Sequence, residues 1–299
     1  MTYNKKNIVI LGVSGLNGNA IFNYLIHNKK NDYNVIGTYC NNNLPFKKNF
    51  NVNTIFFDCL IKDSLSQIFE KYKPSIVINC IGVTKHLFNR YSNEDIFYIN
   101  SELPYILLSE CNKNGSRLIH LSTDCVFSGI KGNYNEQDIP DAKDIYGLSK
   151  AKGEFNNNKH LTIRTSVIGH EVISSNGLLE WFLSQSISCD GFVNAIFSGL
   201  TTFELSKVIS NIILVNEKIF GLYNIGGYPI NKYDLLNLFA EIYGKDIHIY
   251  KNEEFIMDRS FNSTSFSQLV NYNKKNWKSL IIEMKHEECS YSNFYNKLD

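Results

Sequence analysis

Ile8-Val9-Ile10-Leu11-Gly12-Val13-Ser14-Gly15-Leu16-Asn17-Gly18 decides the fold. An apolar run passes straight into glycines spaced G-x-x-G-x-x-G, and a helix candidate from Asn17 to His27 follows at once. Glycines in that place let the backbone turn tightly and approach a pyrophosphate, whose charge then sits at a helix N-terminus. The third glycine, Gly18, lets the helix pack close to the strand. A tight turn without a ligand is the plainer alternative; the position between first buried strand and first helix favours a nucleotide. Gly12, Ser14, Gly15, Leu16, Asn17 and Gly18 are the candidate cofactor-binding residues of this loop.

Outward from that stretch, short apolar runs alternate with amphipathic ones. Strands are expected from Asn7 to Leu11, Asn34 to Tyr39, Thr54 to Phe57, Ser75 to Cys80, Arg117 to Ser122 and His160 to Arg164. Helices are expected from Ser64 to Tyr72, Ser92 to Lys113 and Asp144 to Phe155. The strands are rich in Ile, Val and Phe, as strands buried on both faces are. Past Arg164 the pattern predicts a helix from Gly177 to Gln185, a strand from Phe192 to Phe197, a helix from Thr202 to Val215, a strand from Gly221 to Ile225, and helices from Lys232 to Tyr243 and Trp277 to Leu298. Strand–helix alternation predicts an α/β fold, a doubly wound parallel sheet of the Rossmann type with right-handed crossovers. Residues 1–166 and 199–227 are expected to form the dinucleotide-binding domain. Residues 167–198 and 228–299 are expected to form a smaller α/β substrate lobe, with the site in the cleft between them.

Bulk properties narrow the function classes. The 299 residues carry 30 Lys+Arg against 29 Asp+Glu, a formal charge of +1, which sets up no field for a nucleic acid or a membrane surface. At 43% hydrophobic residues the chain can build a sizeable core, so global disorder is not expected. The seven cysteines lie far apart with no C-x-x-C, a poor disulfide framework and a poor zinc site. No stretch approaches the roughly 20 apolar residues of a membrane span. No H-E-x-x-H or similar spacing marks a metal site, so no metal is expected. A cytoplasmic protein with reduced thiols is the expectation.

Cofactor preference is read from the second strand. A loop that prefers NAD carries an acid about 20 residues beyond the glycines. Here that place reads Thr38-Tyr39-Cys40-Asn41, with no carboxylate and with Lys47 and Lys48 nearby to meet a 2′-phosphate or simply to be solvated. The missing acid favours NADP(H) and leaves NAD(H) open. Asp58, with Cys59 beside it, follows the third strand and either accepts from an adenine amino group or caps a helix.

The chemistry resides in two further stretches. Tyr146-Gly147-Leu148-Ser149-Lys150 is a Y-x-x-x-K pair whose side chains share one helix face. A lysine ammonium beside the phenol is expected to lower the tyrosine pKa and make a general acid for a carbonyl oxygen. Leu118-Ile119-His120-Leu121 leads into Ser122-Thr123-Asp124-Cys125-Val126-Phe127-Ser128-Gly129, which puts the Thr123 hydroxyl at the carboxyl end of a buried strand, where open α/β sheets bind ligands.

With these residues on the page, the chain resembles the extended short-chain dehydrogenase/reductase family and, within it, the dTDP-4-dehydrorhamnose reductase branch. The resemblance rests on the three glycines, the Asn79-Cys80-Ile81-Gly82 turn, Asn100, the S-T-D-C-V-F-S-G segment, Y-G-L-S-K, Arg164-Thr165-Ser166, and Arg259 with Asn262-Ser263. It implies a catalytic triad of Thr123, Tyr146 and Lys150, with Lys150 also holding the nicotinamide ribose. It implies cofactor contacts at Thr38, Asp58, Cys59, Asn79, Cys80, Ile81, Gly82 and Asn100. Substrate contacts are implied at Thr123, Asp124, Val126 and Arg259, the last either on a substrate diphosphate or in a structural salt bridge. The chain departs from the branch at Cys40, where relatives often place an arginine, at Ser260 in place of a proline, and at Ile168-Gly169-His170-Glu171.

The resemblance implies NAD(P)H-dependent reduction of the C4 ketone of a nucleotide-activated 4-keto-6-deoxyhexose, in deoxysugar or surface polysaccharide biosynthesis. A 4,6-dehydratase is disfavoured, because relatives of that kind carry D-E where this chain has Asp124-Cys125. A sugar-nucleotide 4-epimerase remains an alternative. So does a non-catalytic NADP-binding regulatory module, since the regulatory subunit of methionine adenosyltransferase resembles the same branch. The expected partner is a small sugar nucleotide, and a homodimer is left open. His86 is read as an exposed loop residue, His170 and Glu171 as candidates for the sugar pocket, Trp181 as core or interface, and Cys125 as a small apolar filler.

Overall fold

β1 (Lys6–Leu11) runs through the middle of the protein, and Ile8, Val9, Ile10 and Leu11 are completely buried. In the computed structural model the described residues are 5–40, 52–61, 63–171 and 175–291, with side chains described to 287. Lys47 and Lys48, the Asn41 to Asn43 turn, the last residues of the Trp277 to Leu298 helix and the Cys289 side chain lie outside them. Around β1 the chain winds α1 (Leu16–Asn28), β2 (Tyr33–Tyr39), β3 (Thr54–Phe56), α2 (Ser64–Tyr72), β4 (Ile76–Asn79), α3 (Asn93–Phe97), α4 (Leu103–Lys113), β5 (Arg117–Thr123), α5 (Ile145–Lys152) and β6 (Leu161–Thr165). There follow β7 (Val167–Ile168), α6 (Leu178–Ser184), β8 (Ser188–Phe192), β9 (Ala195–Phe197), β10 (Leu200–Thr201), α7 (Thr202–Val208) and β11 (Gly221–Asn224). The chain continues through β12 (Ile230–Asn231), α8 (Lys232–Tyr243), β13 (His248–Asn252), β14 (Met257–Asp258), α9 (Thr264–Val270) and α10 (Trp277–Tyr291).

Seven strands pair in parallel in the order β11-β6-β5-β4-β1-β2-β3. Alternation along each strand sends side chains to two separate cores. Ile8, Ile10, Ile119 and Leu121 pack with Phe22 of α1 and Leu205 of α7, while Val9, Leu11, Val77 and Leu118 pack with Leu103 and Leu107 of α4. The doubly wound sheet is thus the one expected. Its order reverses between β1 and β4, and at such a reversal the strand ends splay and leave a crevice for a ligand. The glycine loop sits at that point. A third core, from Phe182, Phe197, Leu236, Phe239 and Trp277, lies under three small sheets, β10-β7, β12-β9-β14 and β13-β8.

Two expectations need correction. The single helix from Ser92 to Lys113 is interrupted by a π-helical turn at Tyr98–Glu102, between α3 and α4. Pro104 in the first turn of α4 has no N–H to give to the carbonyl four residues back, that of Asn100, and the helix widens there. The strand expected from Phe192 to Phe197 shortens to β9, which joins β12 and β14; the chain turns at Val193-Asn194, and Phe192 instead ends β8, an unexpected strand from Ser188 that pairs with β13. The strands β13 and β14 and the helix α9 lack a strong apolar period and escaped the reading altogether.

Among the described residues six cysteines are free, no three His, Cys, Asp or Glu side chains gather as a metal site, and no helix is long and apolar enough to cross a membrane. The contact between glycine loop and α1 is the tightest requirement at the crevice: a Cβ on Gly18 would stand 2.2 Å from the Gly12 carbonyl oxygen, whereas one on Gly15 would stand 3.6 Å away from it. Gly18→Ala is therefore expected to destabilise the fold by about 1–3 kcal/mol, and Gly15→Ala to leave it near wild type. Urea unfolding of the two variants checks this.

Candidate active site

Gly12 adopts φ +86°, a conformation that glycine takes without strain. Its N–H donates to Thr38 Oγ1 at 3.1 Å and the next N–H, of Val13, donates to the Thr38 carbonyl at 2.8 Å. Thr38 is 1% exposed, so it lies beneath the loop and braces it, and its hydroxyl is not presented to a cofactor as expected. α1 starts at Gly15 without a side-chain cap, which leaves the first-turn N–H groups open, and Asn17 Oδ1 is buried without a partner. An uncapped helix end, a backbone bared by glycines and an orphaned amide oxygen fit a dinucleotide pyrophosphate. Ser14 and Leu16 are partly buried in the same turn.

Asp58 Oδ1 accepts from Leu60 N at 2.9 Å and closes a turn; the residue preceding α2 is Asp63, so Asp58 is not the helix cap. Cys59 lines a 440 Å³ cavity with Leu60, Leu65, Tyr98 and Leu103, and burial pushes its thiol up to about 12.

The Asn79-to-Gly82 turn links the glycine loop to the Y-x-x-x-K helix. Asn79 is fully buried; its Oδ1 accepts from Ile81 N at 3.1 Å and its Nδ2 lies 3.1 Å from His120 Nδ1. Ile81 packs over Gly12, where a Cβ would meet Ile81 Cγ1 at 3.1 Å. At Gly82 a Cβ would lie 3.9 Å from Lys150 Nζ. Asn100 holds this turn from the π-helical segment, its Oδ1 accepting from Val83 N at 2.8 Å and its Nδ2 donating to Ser149 Oγ at 3.0 Å.

α5 carries Tyr146 and Lys150 and is fitted closely at both ends. A Cβ on Gly147 would stand 2.2 Å from the Cys125 carbonyl oxygen, and one on Gly153 would stand 2.1 Å from that of Asn100. Asp144 caps the helix, accepting from Gly147 N at 3.0 Å, and its other oxygen is 3.1 Å from Lys85 Nζ. Lys150 is buried and donates to the Leu121 carbonyl at 2.8 Å. Burial lowers its pKa to about 8, against the pull of Glu154 and Cys80 in the other direction. Behind it, Glu154 forms a buried ion pair with Arg164 at 2.7 Å and accepts from Ser122 Oγ at 2.6 Å. His120 is held neutral by burial and by the Lys150 charge.

Thr123, Tyr146 and Lys150 therefore meet at the carboxyl end of β5. Thr123 Oγ1 lies 3.1 Å from Asp124 Oδ1, and the Thr123 hydroxyl also faces the Tyr146 phenol. The expected lowering of the Tyr146 pKa is not found. Burial, followed by the nearby Cys125, pushes the phenol above its usual range, and Thr123 opposes this only in part. The lysine charge is spent on the Leu121 carbonyl and on Glu154. Tyr146 is a phenol that keeps its proton.

Other expectations change as well. Val126 is fully buried with Phe127, Tyr134 and Phe261, which takes its side chain out of reach of a substrate. Cys125 is not merely filler: its sulfur accepts from Arg259 at 3.2 Å, while Arg259 Nε is buried without a partner. Arg259 makes no salt bridge among the described residues. His170 bonds Glu180 at 2.8 Å and Tyr243 at 2.6 Å, and Glu171 accepts from Gly177 N at 2.7 Å, so both tie the segment before α6 in place. His86 is exposed and Trp181 is 39% exposed rather than core.

Sequence reasoning passed over Glu154 and Lys232. Glu154 continues the four-residue spacing of Tyr146 and Lys150, a signal that was there to be used. Lys232 opens α8, where a cation faces the positive end of the helix dipole, and its ammonium lies over the Phe197 ring at 4.0 Å.

Comparison with known proteins agrees with this geometry. The model of the RmlD substrate binding domain family matches residues 6–185. The dTDP-4-dehydrorhamnose reductase of Aggregatibacter actinomycetemcomitans is 25% identical over 76% of this chain and 76% of its own length. The methionine adenosyltransferase 2 subunit beta of Danio rerio is 28% identical over 50% of this chain, and the match spans only 42% of that protein. The structure of the Bacillus anthracis dTDP-4-dehydrorhamnose reductase in complex with NADP superposes with a TM-score of 0.75 at 18% identity, over 95% of this chain and 99% of that one.

The buried pair behind Lys150 yields a stability test. Arg164→Met strands the Glu154 carboxylate and is expected to cost about 3–5 kcal/mol. Adding Glu154→Gln to it is expected to recover only part of that loss, because the same carboxylate offsets the buried Lys150 charge, as seen by urea denaturation of single and double variants.

Proposed function

Because the chain belongs to the RmlD substrate binding domain family, we propose that it is an NAD(P)H-dependent oxidoreductase that reduces the C4 ketone of a nucleotide-activated 4-keto-6-deoxyhexose. The observation that carries the reading is the meeting of Thr123, Tyr146 and Lys150 at the end of β5, beside a glycine loop at the reversal of the sheet. The relative named dTDP-4-dehydrorhamnose reductase, and a shorter match of 36% identity to a spore coat polysaccharide biosynthesis protein of Bacillus subtilis, support a role in deoxysugar or surface polysaccharide assembly.

Gly12, Gly15, Asn17 and Gly18 would hold the pyrophosphate of the cofactor, and Lys150 its nicotinamide ribose. NADP(H) is favoured over NAD(H), since no acid follows β2; structural neighbours are solved with NADP and with NAD. The bound nicotinamide supplies the hydride. Tyr146 supplies the proton: a phenol raised by burial stays protonated across the neutral range and gives its hydrogen to an oxygen only as negative charge builds there. Thr123 orients that oxygen. Asn100 and Ser149 hold the turn and helix that carry these groups. The substrate would enter between the β5 end and the small β12-β9-β14 sheet, with residues 167–198 and 228–299 as its lobe.

A cofactor-binding regulatory subunit is the second reading, favoured by the likeness to methionine adenosyltransferase 2 subunit beta. Such a role does not need a buried ammonium and a protonated phenol one turn apart on α5, and this chain keeps both.

The test is steady-state oxidation of NADPH with dTDP-, UDP- and GDP-4-keto-6-deoxyhexoses. Tyr146→Phe is expected to lose about 10²–10⁴-fold in turnover while binding NADPH as wild type does. Activity should fall as pH rises past about 8, where Lys150 gives up its proton. Near wild-type turnover in Tyr146→Phe would sink the assignment.

A further inference from the structure

Lys232 is a cation with no ordinary reason to be where it is. It is the first residue of α8, where the helix dipole disfavours positive charge. Its side chain is only partly exposed and lies over Phe197, with the nitrogen 4.0 Å from the ring centroid. Among the described residues it makes no hydrogen bond and no ion pair. Burial lowers its pKa to about 8, and the groups that oppose this are Asp124 and Cys125, the two residues after Thr123. Asp234, in the same helix turn, is occupied with Asn231.

The small sheet explains how the side chain gets there. β9 is paired on one side with β12, which runs into Lys232, and on the other with β14, which runs into Arg259. Phe197 lies between them on β9. One sheet thus delivers an ammonium and a guanidinium to the Asp124–Val126 turn. Arg259 is engaged there with Cys125; Lys85, the other cation acting on Cys125, is paired with Asp144. Arg259 keeps an unpaired Nε, but of the three cations Lys232 is the one with no hydrogen-bond or ion-pair partner among the described residues. A desolvated ammonium with unused donors is costly unless a ligand supplies an acceptor.

We infer that Lys232 is a substrate-specificity residue whose ammonium donates to an oxygen of the sugar ring next to the carbon being reduced. This rests on the keto-sugar reading above. The reacting carbonyl is fixed by Thr123 and Tyr146, so an ammonium aimed at the residues that follow Thr123 meets the ring substituents beside that carbonyl. The contact distinguishes sugars by whether they carry an oxygen there.

The test measures calorimetric binding of dTDP-glucose and of dTDP alone to the full chain saturated with NADP+, for wild type, Lys232→Met and Lys232→Arg. UDP and GDP pairs are run in parallel. Lys232→Met is expected to weaken the nucleotide sugar about 10-fold or more, the loss typical of a hydrogen bond to a charged group. It should leave the nucleoside diphosphate unchanged, and Lys232→Arg should recover part of the loss. Equal binding of the nucleotide sugar by wild type and Lys232→Met overturns the inference. So does an equal loss for the nucleoside diphosphate, which would put the ammonium on phosphate, and so does a wild type that binds none of the three pairs. Turnover of the keto sugars, assayed separately, decides the reductase reading: the expected binding pattern without turnover retains the Lys232 contact and rejects the reaction.

Discussion

The burial of the Lys150 ammonium is the constraint on which the rest of the site depends. An ammonium in a protein interior survives only with acceptors and opposite charge around it. Here the Leu121 carbonyl provides the acceptor at 2.8 Å and Glu154 the charge. Glu154 in turn needs Arg164 and Ser122, and so the demand of one lysine extends across β5 and β6. With Asn79, His120, Asn100 and Ser149 these groups make a polar layer on one face of an otherwise apolar sheet. The layer holds α5 at a fixed height, and that height places Tyr146 beside Thr123.

Tight backbone contacts do the remaining positioning. Gly147 rests on the Cys125 turn and Gly153 on the Asn100 carbonyl. That carbonyl lies in the π-helical turn, and Pro104 cannot donate to it. The π-helical turn, the proline and the glycine at the end of α5 are thus three parts of one joint. The same economy holds at the glycine loop, where Gly12, Gly18, Thr38 and Ile81 close on one another with no space to spare. A tyrosine raised by burial, rather than lowered by its lysine, would suit the proposed role of releasing a proton late.

Much of the fold was legible because its strands are buried on both faces and its helices carry a clear apolar stripe. α2 and α8 begin and end where the pattern says they should. The glycine loop, Thr123 and the Y-x-x-x-K pair were legible for a different reason: each needs particular residue types at fixed spacing. What escaped was set by long-range contacts. The strand start was placed at Phe192 because the turn at Val193-Asn194 has no glycine or proline, and only pairing with β13 and β14 separates β8 from β9. Thr38 and Val126 read as ligand contacts because a sequence does not say which side of a loop is buried. Arg259 on Cys125 joins residues 134 positions apart, and no local pattern announces it.

The most direct measurement follows an isotope. Wild-type protein is given NADPH deuterated on the transferring face of C4 of the nicotinamide, together with the keto sugar that it turns over, and the product is read by NMR. The account predicts one deuterium at sugar C4, appearing about 10²–10⁴-fold more slowly when Tyr146→Phe replaces wild type. Oxidation of the cofactor without label at C4, or a sugar altered at other carbons with the cofactor unchanged, would contradict it.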